Sequence, residues 1–331
     1  MKRAVLLLAA LLAAILVPLV LGGSETIQRL RDFPLGLLLA MFGMILLCWV
    51  LNALRLRLLL GNQAREITPM KSIGVVMSTE FAICATPGGS GGPLTLMALL
   101  SRNGIGSAKS SAVFATDQLS DLLFFLCALV GMLFYALFHT LSQKLEWMLG
   151  LSAALMLVGL CACIGLAHYY RHIIKFNGLL LKRLSTKSLT RRRWARKLLH
   201  FRDALAETLK MPKKRLALVF LLTCLHWGLR YSVLYLALRG LGTDVQWAWS
   251  FLIQMLSLSA GQLSLLPGGA GAAELTSAAL LTPMVGNSTA AAAIVVWRIV
   301  TYYFYLIAGG PVFFLLISRP LINKLLRVRD A

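Results

Sequence analysis

The chain has 331 residues, 59% of them hydrophobic, with a mean hydropathy of +0.79. Soluble domains run nearer ~45–50% apolar, so the composition excludes an ordinary soluble enzyme and indicates a polytopic membrane protein. The net charge of +21 would suit a nucleic-acid binder, but fifteen of the 33 basic residues lie between Arg171 and Arg215. A positive cytoplasmic loop explains that clustering, and no nucleic-acid partner is expected. The six cysteines match no zinc or redox spacing, and neither a Walker-type loop nor a nucleophile elbow is present. No metal, cofactor or catalytic constellation is therefore expected, and ATP-driven pumping by this chain alone is disfavoured.

Taken in order, Lys2-Arg3 followed by Ala4 to Leu21 reads as a first span with a cytoplasmic N-terminus, because the apolar run is long for a signal peptide. A short charge-balanced loop (Glu25, Arg29, Arg31, Asp32) follows, and Pro34 to Leu54 returns the chain to the inner side, where Arg55 and Arg57 are expected to lie. Ser72 to Leu100 is apolar but broken by Thr86-Pro87-Gly88-Gly89-Ser90-Gly91-Gly92-Pro93. Basic residues on both flanks (Arg65 and Lys71, then Arg102 and Lys109) make it a re-entrant helix pair entered from the cytoplasm. Ser111 to Phe138 crosses outward and Trp147 to Ala167 crosses back.

Within the cytoplasmic segment 171–215, Trp194, Leu198, Phe201, Leu205 and Leu209 recur at helical spacing between basic residues. That pattern suits contact with anionic lipids, or equally a solvated loop that only sets topology. Leu216 to Leu238 crosses outward. Trp247 to Pro283 carries a second break, Leu266-Pro267-Gly268-Gly269-Ala270-Gly271-Ala272-Ala273-Glu274, and its flanks hold little basic charge, so it is expected to enter from the outer face. Ser288 to Ile317 brings the chain back to a basic cytoplasmic C-terminus. The expected fold is one all-α integral membrane domain (1–331) with six transmembrane helices and two re-entrant pairs. Repeat one (34–138) and repeat two (216–317), either side of the basic loop, form an inverted-topology repeat.

Broken helices are tolerated at membrane depth only where protein or a wet cavity shields the free backbone groups. Pro87, Gly88 and Gly89, with Pro267, Gly268 and Gly269, are therefore candidate substrate-binding positions. Seven ionisable residues also fall in apolar segments: Glu80, Asp117, Asp121, His226, Arg230, Glu274 and Arg298. Asp117 and Asp121, His226 and Arg230, and Arg298 and Tyr302 are each four apart and share a helix face. When the repeats are superposed on Pro87 and Pro267, Leu94 replaces Glu274 and Gln118 replaces Arg298. Their joint absence from one half predicts a Glu274–Arg298 ion pair in the other. Asp117, Asp121 and Arg230 are either a structural bridge between halves, or a headgroup site with Arg230 on phosphate and the aspartates on an amine or hydroxyls.

The motif Leu266-Pro267-Gly268-Gly269-Ala270-Gly271 with Glu274, then Trp297-Arg298, Tyr302-Tyr303 and Gly309, resembles the lysylphosphatidylglycerol synthase transmembrane (flippase-like) domain family. Pro87 to Asp121, ending in Asp117-Gln118-Leu119-Ser120-Asp121, is similar to that family's other segment. The resemblance spans roughly residues 5 to 320. It implies movement of a polar-headed lipid between leaflets of a bacterial cytoplasmic (inner) membrane. With no aminoacyl-transferase domain in the sequence, it does not imply lysine transfer. The expected substrate is a membrane lipid with an anionic or aminoacylated phospholipid head, or a glycolipid. The alternatives are a transporter of a small anion or polyprenyl-phosphate carrier, and a non-transporting membrane enzyme or assembly partner. Homo-oligomerisation is compatible with the apolar helix faces.

Overall fold

A computed structural model describes residues 2–138, 210–264 and 266–329, with the isolated positions 150, 154, 157 and 206. The expected span Trp147–Ala167 and most of the basic segment 171–215, including its amphipathic stretch, lie outside the described residues. The described chain is helical and contains no strand: α1 (Lys2–Gly22), α2 (Ser24–Arg31), α3 (Leu35–Leu60), α4 (Pro69–Ala85), α5 (Gly91–Arg102), α6 (Ser107–Phe138), α7 (Lys213–Gly240), α8 (Trp247–Leu263), α9 (Ala272–Val285), α10 (Asn287–Arg298) and α11 (Phe304–Arg329). A 3-10 turn, Gly61–Glu66, follows α3, and a π-helical turn, Ile299–Tyr303, joins α10 to α11.

Local chemistry sets the boundaries that matter for function. Gly61, at φ 63, ends α3 in a left-handed cap. Thr68 caps α4, its Oγ1 accepting from the Lys71 N–H at 3.3 Å, and Pro69 fills the first helical position. The helix stops at Thr86 because a residue before proline is pushed extended, here to φ −123 and ψ 148. The Thr86 hydroxyl then donates to Ala82 O at 2.6 Å and accepts from the Gly91 N–H at 2.8 Å, joining the end of α4 to the start of α5.

Among the described residues, four segments are long and apolar enough to cross a membrane: Leu35–Glu66, Ser107–Met132, Lys213–Gly240 and Asn287–Ile317. The described apolar part of α1, Leu12–Gly22, is shorter. α3 packs along α7 at the centre, and α1 lies on α10, where consecutive small residues (Ala290 to Ala293) are buried. Each broken helix pair packs within its own half and also reaches the other half of the chain. α4 packs on α11, with Phe81 against Phe313 at 5.0 Å. α8 packs on α6 and α7 through Phe251, Met255, Leu129 and Tyr231.

Candidate functional site

The two breaks fold alike. In the first, the Gly89 N–H donates to Thr86 O (3.2 Å) and the Ser90 N–H to Pro87 O (3.3 Å); in the second, the Gly269 N–H donates to Leu266 O (3.0 Å) and the Ala270 N–H to Pro267 O (3.2 Å). Gly88, Gly89, Gly268 and Gly269 all take positive φ, between 57° and 69°. The tips meet: Pro87 and Pro267 form an isolated antiparallel bridge. Side chains are excluded there. A Cβ on Gly268 would sit 2.1 Å from Tyr302 Cε2, and one on Gly269 would sit 2.6 Å from Gly261 Cα.

Beside this junction lies a cavity of about 700 Å³. Gly88, Gly89, Gly268, Gly269, Asp117, Asp121, Arg230, Arg298 and Tyr302 line it, as does the start of α5 at Gly92 and Pro93. Of the remaining expected site residues, Pro87 and Pro267 form the bridge, and Glu274 is fully buried behind the wall. At the start of α5 the Gly91 N–H is taken by Thr86 Oγ1 (2.8 Å) and the Gly92 N–H by Gly89 O (3.0 Å), and Pro93 has none. This helix begins at Gly91, inside the break expected over Thr86 to Pro93, and Pro93 sits in its first turn.

Three buried arginines organise the charge. Arg298 meets Glu274 at 2.5 Å, the pairing expected from the two halves, with side-chain exposures of 3% and 0%. Its other nitrogens donate to the carbonyls of Gly268 (3.2 Å) and Gly269 (3.5 Å), and its guanidinium lies 5.4 Å from the Tyr302 ring centre. Tyr302, carried by the π turn, donates its hydroxyl to Pro267 O at 3.4 Å. The last span thus holds the second break by both its backbone and its acid. A π turn inserts one extra residue and re-aims the side chains after it, a feature often found at functional sites.

Arg55 corrects the sequence reading. It is only 3% exposed, inside α3 and not beyond the end of a span at Leu54, and it holds both aspartates: Nε donates to Asp117 Oδ1 at 2.5 Å and Nη1 to Asp121 Oδ1 at 2.9 Å. Trp227 Nε1 adds a bond to Asp121 Oδ1 at 2.8 Å. Asp117 and Asp121 therefore do not bridge to Arg230. A signal was available, since the apolar run continues beyond Arg55 to Leu60, while Arg57, two residues on, turns away to Ile67 O.

Arg230 instead meets Glu80 Oε2 at 3.3 Å, with exposures of 14% and 13%. Its guanidinium also lies 4.8 Å from the Tyr305 ring centre and 5.6 Å from that of Trp227. Glu80 and His226, noted in the sequence as ionisable residues in apolar segments, join the cavity wall, with Arg55, Asn52, Trp227 and Gln254, which the sequence reading did not place there. Among the described residues, no group of three or more His, Cys, Asp or Glu could hold a metal ion.

The sequence profile of the family described as "Lysylphosphatidylglycerol synthase TM region" matches residues 6–309. A "UPF0104 membrane protein" from Archaeoglobus fulgidus is 26% identical over 243 residues, covering 72% of this chain and 73% of that protein. No solved structure matches the chain. A profile match over nearly its whole length means that the chain belongs to the lysylphosphatidylglycerol synthase transmembrane-region family.

Proposed function

We propose that the protein is a lipid flippase. It takes the polar head of a phospholipid (anionic or aminoacylated) or glycolipid into the cavity and releases it on the other leaflet, while the tails stay in the bilayer. The observation that carries this reading is the roughly 700 Å³ cavity, walled by ionised side chains, at the point where two broken helix pairs touch. Apolar membrane interiors tolerate buried charge and irregular backbone only where protein encloses them or they line such a hollow.

In this reading α4–α5 and α8–α9 are re-entrant pairs entering from opposite faces, within a six-span inverted repeat whose termini are cytoplasmic and whose membrane is the bacterial inner one. The matching turns at the two breaks, with α4 packed on α11 and α8 side chains clustered with those of α6, support a two-fold relation between halves. Alternate rocking of such repeats about a midplane site would open the cavity to each side in turn. Glu274 serves as a positioning residue for Arg298, and the basic segment 171–215 as a contact for anionic lipid.

The test is leaflet exchange in vesicles reconstituted with the full chain. A membrane-impermeant quencher removes only outer-leaflet label in empty vesicles and all label where lipid exchanges. Wild-type protein is expected to give full quenching, and Arg298→Ala to lose it. Quenching no deeper than in empty vesicles, across phospholipids and glycolipids, would overturn the proposal.

A further inference from the structure

Of the three arginines on the cavity wall, two are each held by more than one protein group. Arg55 is gripped by two aspartates, and Arg298 by Glu274 and two backbone carbonyls. Arg230 differs. It meets one carboxylate oxygen at 3.3 Å, and it and Glu80 both face the open volume. Tyr305 and Trp227 brace its guanidinium without using its N–H donors. It is the cation a ligand can take over at least cost.

The neighbouring polar atoms point to the rest of the ligand. Asn52 Oδ1, His226 Nδ1 and Gln254 Oε1 are buried without a hydrogen-bond partner, and all three residues line this cavity. Gln254 is oriented by its own amide, which donates to Arg230 O at 3.3 Å and leaves the side-chain oxygen free. Asn52 and His226 come from α3 and α7, so the free atoms arise on three different helices. The two amide oxygens are acceptors, the imidazole nitrogen is one in the tautomer that carries its proton on the other ring nitrogen, and beside Glu80 they suit a group that is all donor. An ammonium, with three N–H donors and no lone pair, is such a group.

We propose that Arg230 and Glu80 form an exchangeable ion pair, opened by a lipid headgroup that carries both a phosphate and an ammonium. The phosphate replaces Glu80 on Arg230, and the ammonium replaces Arg230 on Glu80, with Asn52, His226 and Gln254 completing its shell. Each buried charge keeps a partner throughout. A head bearing only phosphate leaves Glu80 stripped and next to a like charge, and a head bearing only an amine leaves Arg230 stripped. This inference rests on the flippase reading for its lipid source, and binding tests it separately from transport.

The experiment places the full-length protein in nanodiscs of equal parts phosphatidylethanolamine and phosphatidylglycerol, and native mass spectrometry identifies the retained lipid. Wild-type protein is expected to retain phosphatidylethanolamine about tenfold over phosphatidylglycerol, the preference one charge-assisted contact provides. Glu80→Gln should bring the two lipids to within about threefold, whereas Glu80→Asp keeps the preference. Equal retention by wild-type protein, or a Glu80→Gln change that lowers both lipids alike, overturns the proposal. The wild-type comparison stands even if a variant fails to fold. Selective retention without leaflet exchange in vesicles would uphold this site and refute transport.

Discussion

Removing the acid of the buried Glu274–Arg298 pair tests how the second break is held. In Glu274→Gln the Arg298 guanidinium stays 3% exposed and keeps only the carbonyls of Gly268 at 3.2 Å and Gly269 at 3.5 Å. Breaking a buried pair from one side costs about 3–5 kcal/mol, because the stranded charge has no solvent to return to. The two carbonyls offset part of this, so the lower end, about 3 kcal/mol, is expected. In the double variant Glu274→Gln/Arg298→Met both charges are gone, and the loss should be smaller than in Glu274→Gln alone. The cycle should then show coupling of about 1–3 kcal/mol. Unfolding in mixed micelles, followed by far-UV circular dichroism as denaturant rises, measures all four corners. A Glu274→Gln loss below about 1 kcal/mol, with coupling under about 0.5 kcal/mol, would refute the claim that this pair clamps the tip.

The glycines of the second break should respond differently to the same substitution. Gly268→Ala brings a methyl onto the Tyr302 ring at positive φ, so its loss of about 2 kcal/mol or more should be partly recovered in Gly268→Ala/Tyr302→Ala; no recovery would contradict that contact. Gly269→Ala meets Gly261 backbone, which cannot be trimmed, and should reduce folded yield on size-exclusion chromatography whatever is changed nearby. Arg55→Gln strands two aspartates and should lower the midpoint of thermal unfolding, with Asp117→Asn/Asp121→Asn restoring part of it; an unchanged midpoint in Arg55→Gln would argue against the shared bridge. Trp227→Phe removes the indole bond to Asp121 and should cost about 1.5–3 kcal/mol in denaturant titration while leaving helical content unchanged.

Much of the site was legible because its signals are local or chemically costly. Proline followed by paired glycines ends the helix at both Pro87 and Pro267, whereas Gly309-Gly310-Pro311, with the order reversed, lies inside α11. Ionisable residues in apolar helices are costly enough that they must find partners, and the absence of counterparts for both Glu274 and Arg298 in the other half revealed those two as a pair. Arg55 was misplaced for a physical reason. At a helix end the same residue either snorkels to the membrane surface or turns inward, and only the neighbouring helices decide which. The Glu80–Arg230 pair, between helices far apart in the chain, has no local signature either.

By itself, then, the order of residues determined what the chain needs: helices that cross apolar surroundings, two that break, and charges that require company. Composition and periodicity act within a few residues, and these properties follow from them alone. Tertiary packing decided which charge met which, that the two prolines would touch, and that a hollow would remain beside them. Those outcomes depend on the rotation and depth of each helix against the others. They are set by the summed fit of α3, α4, α6, α7 and α10, not by any one segment.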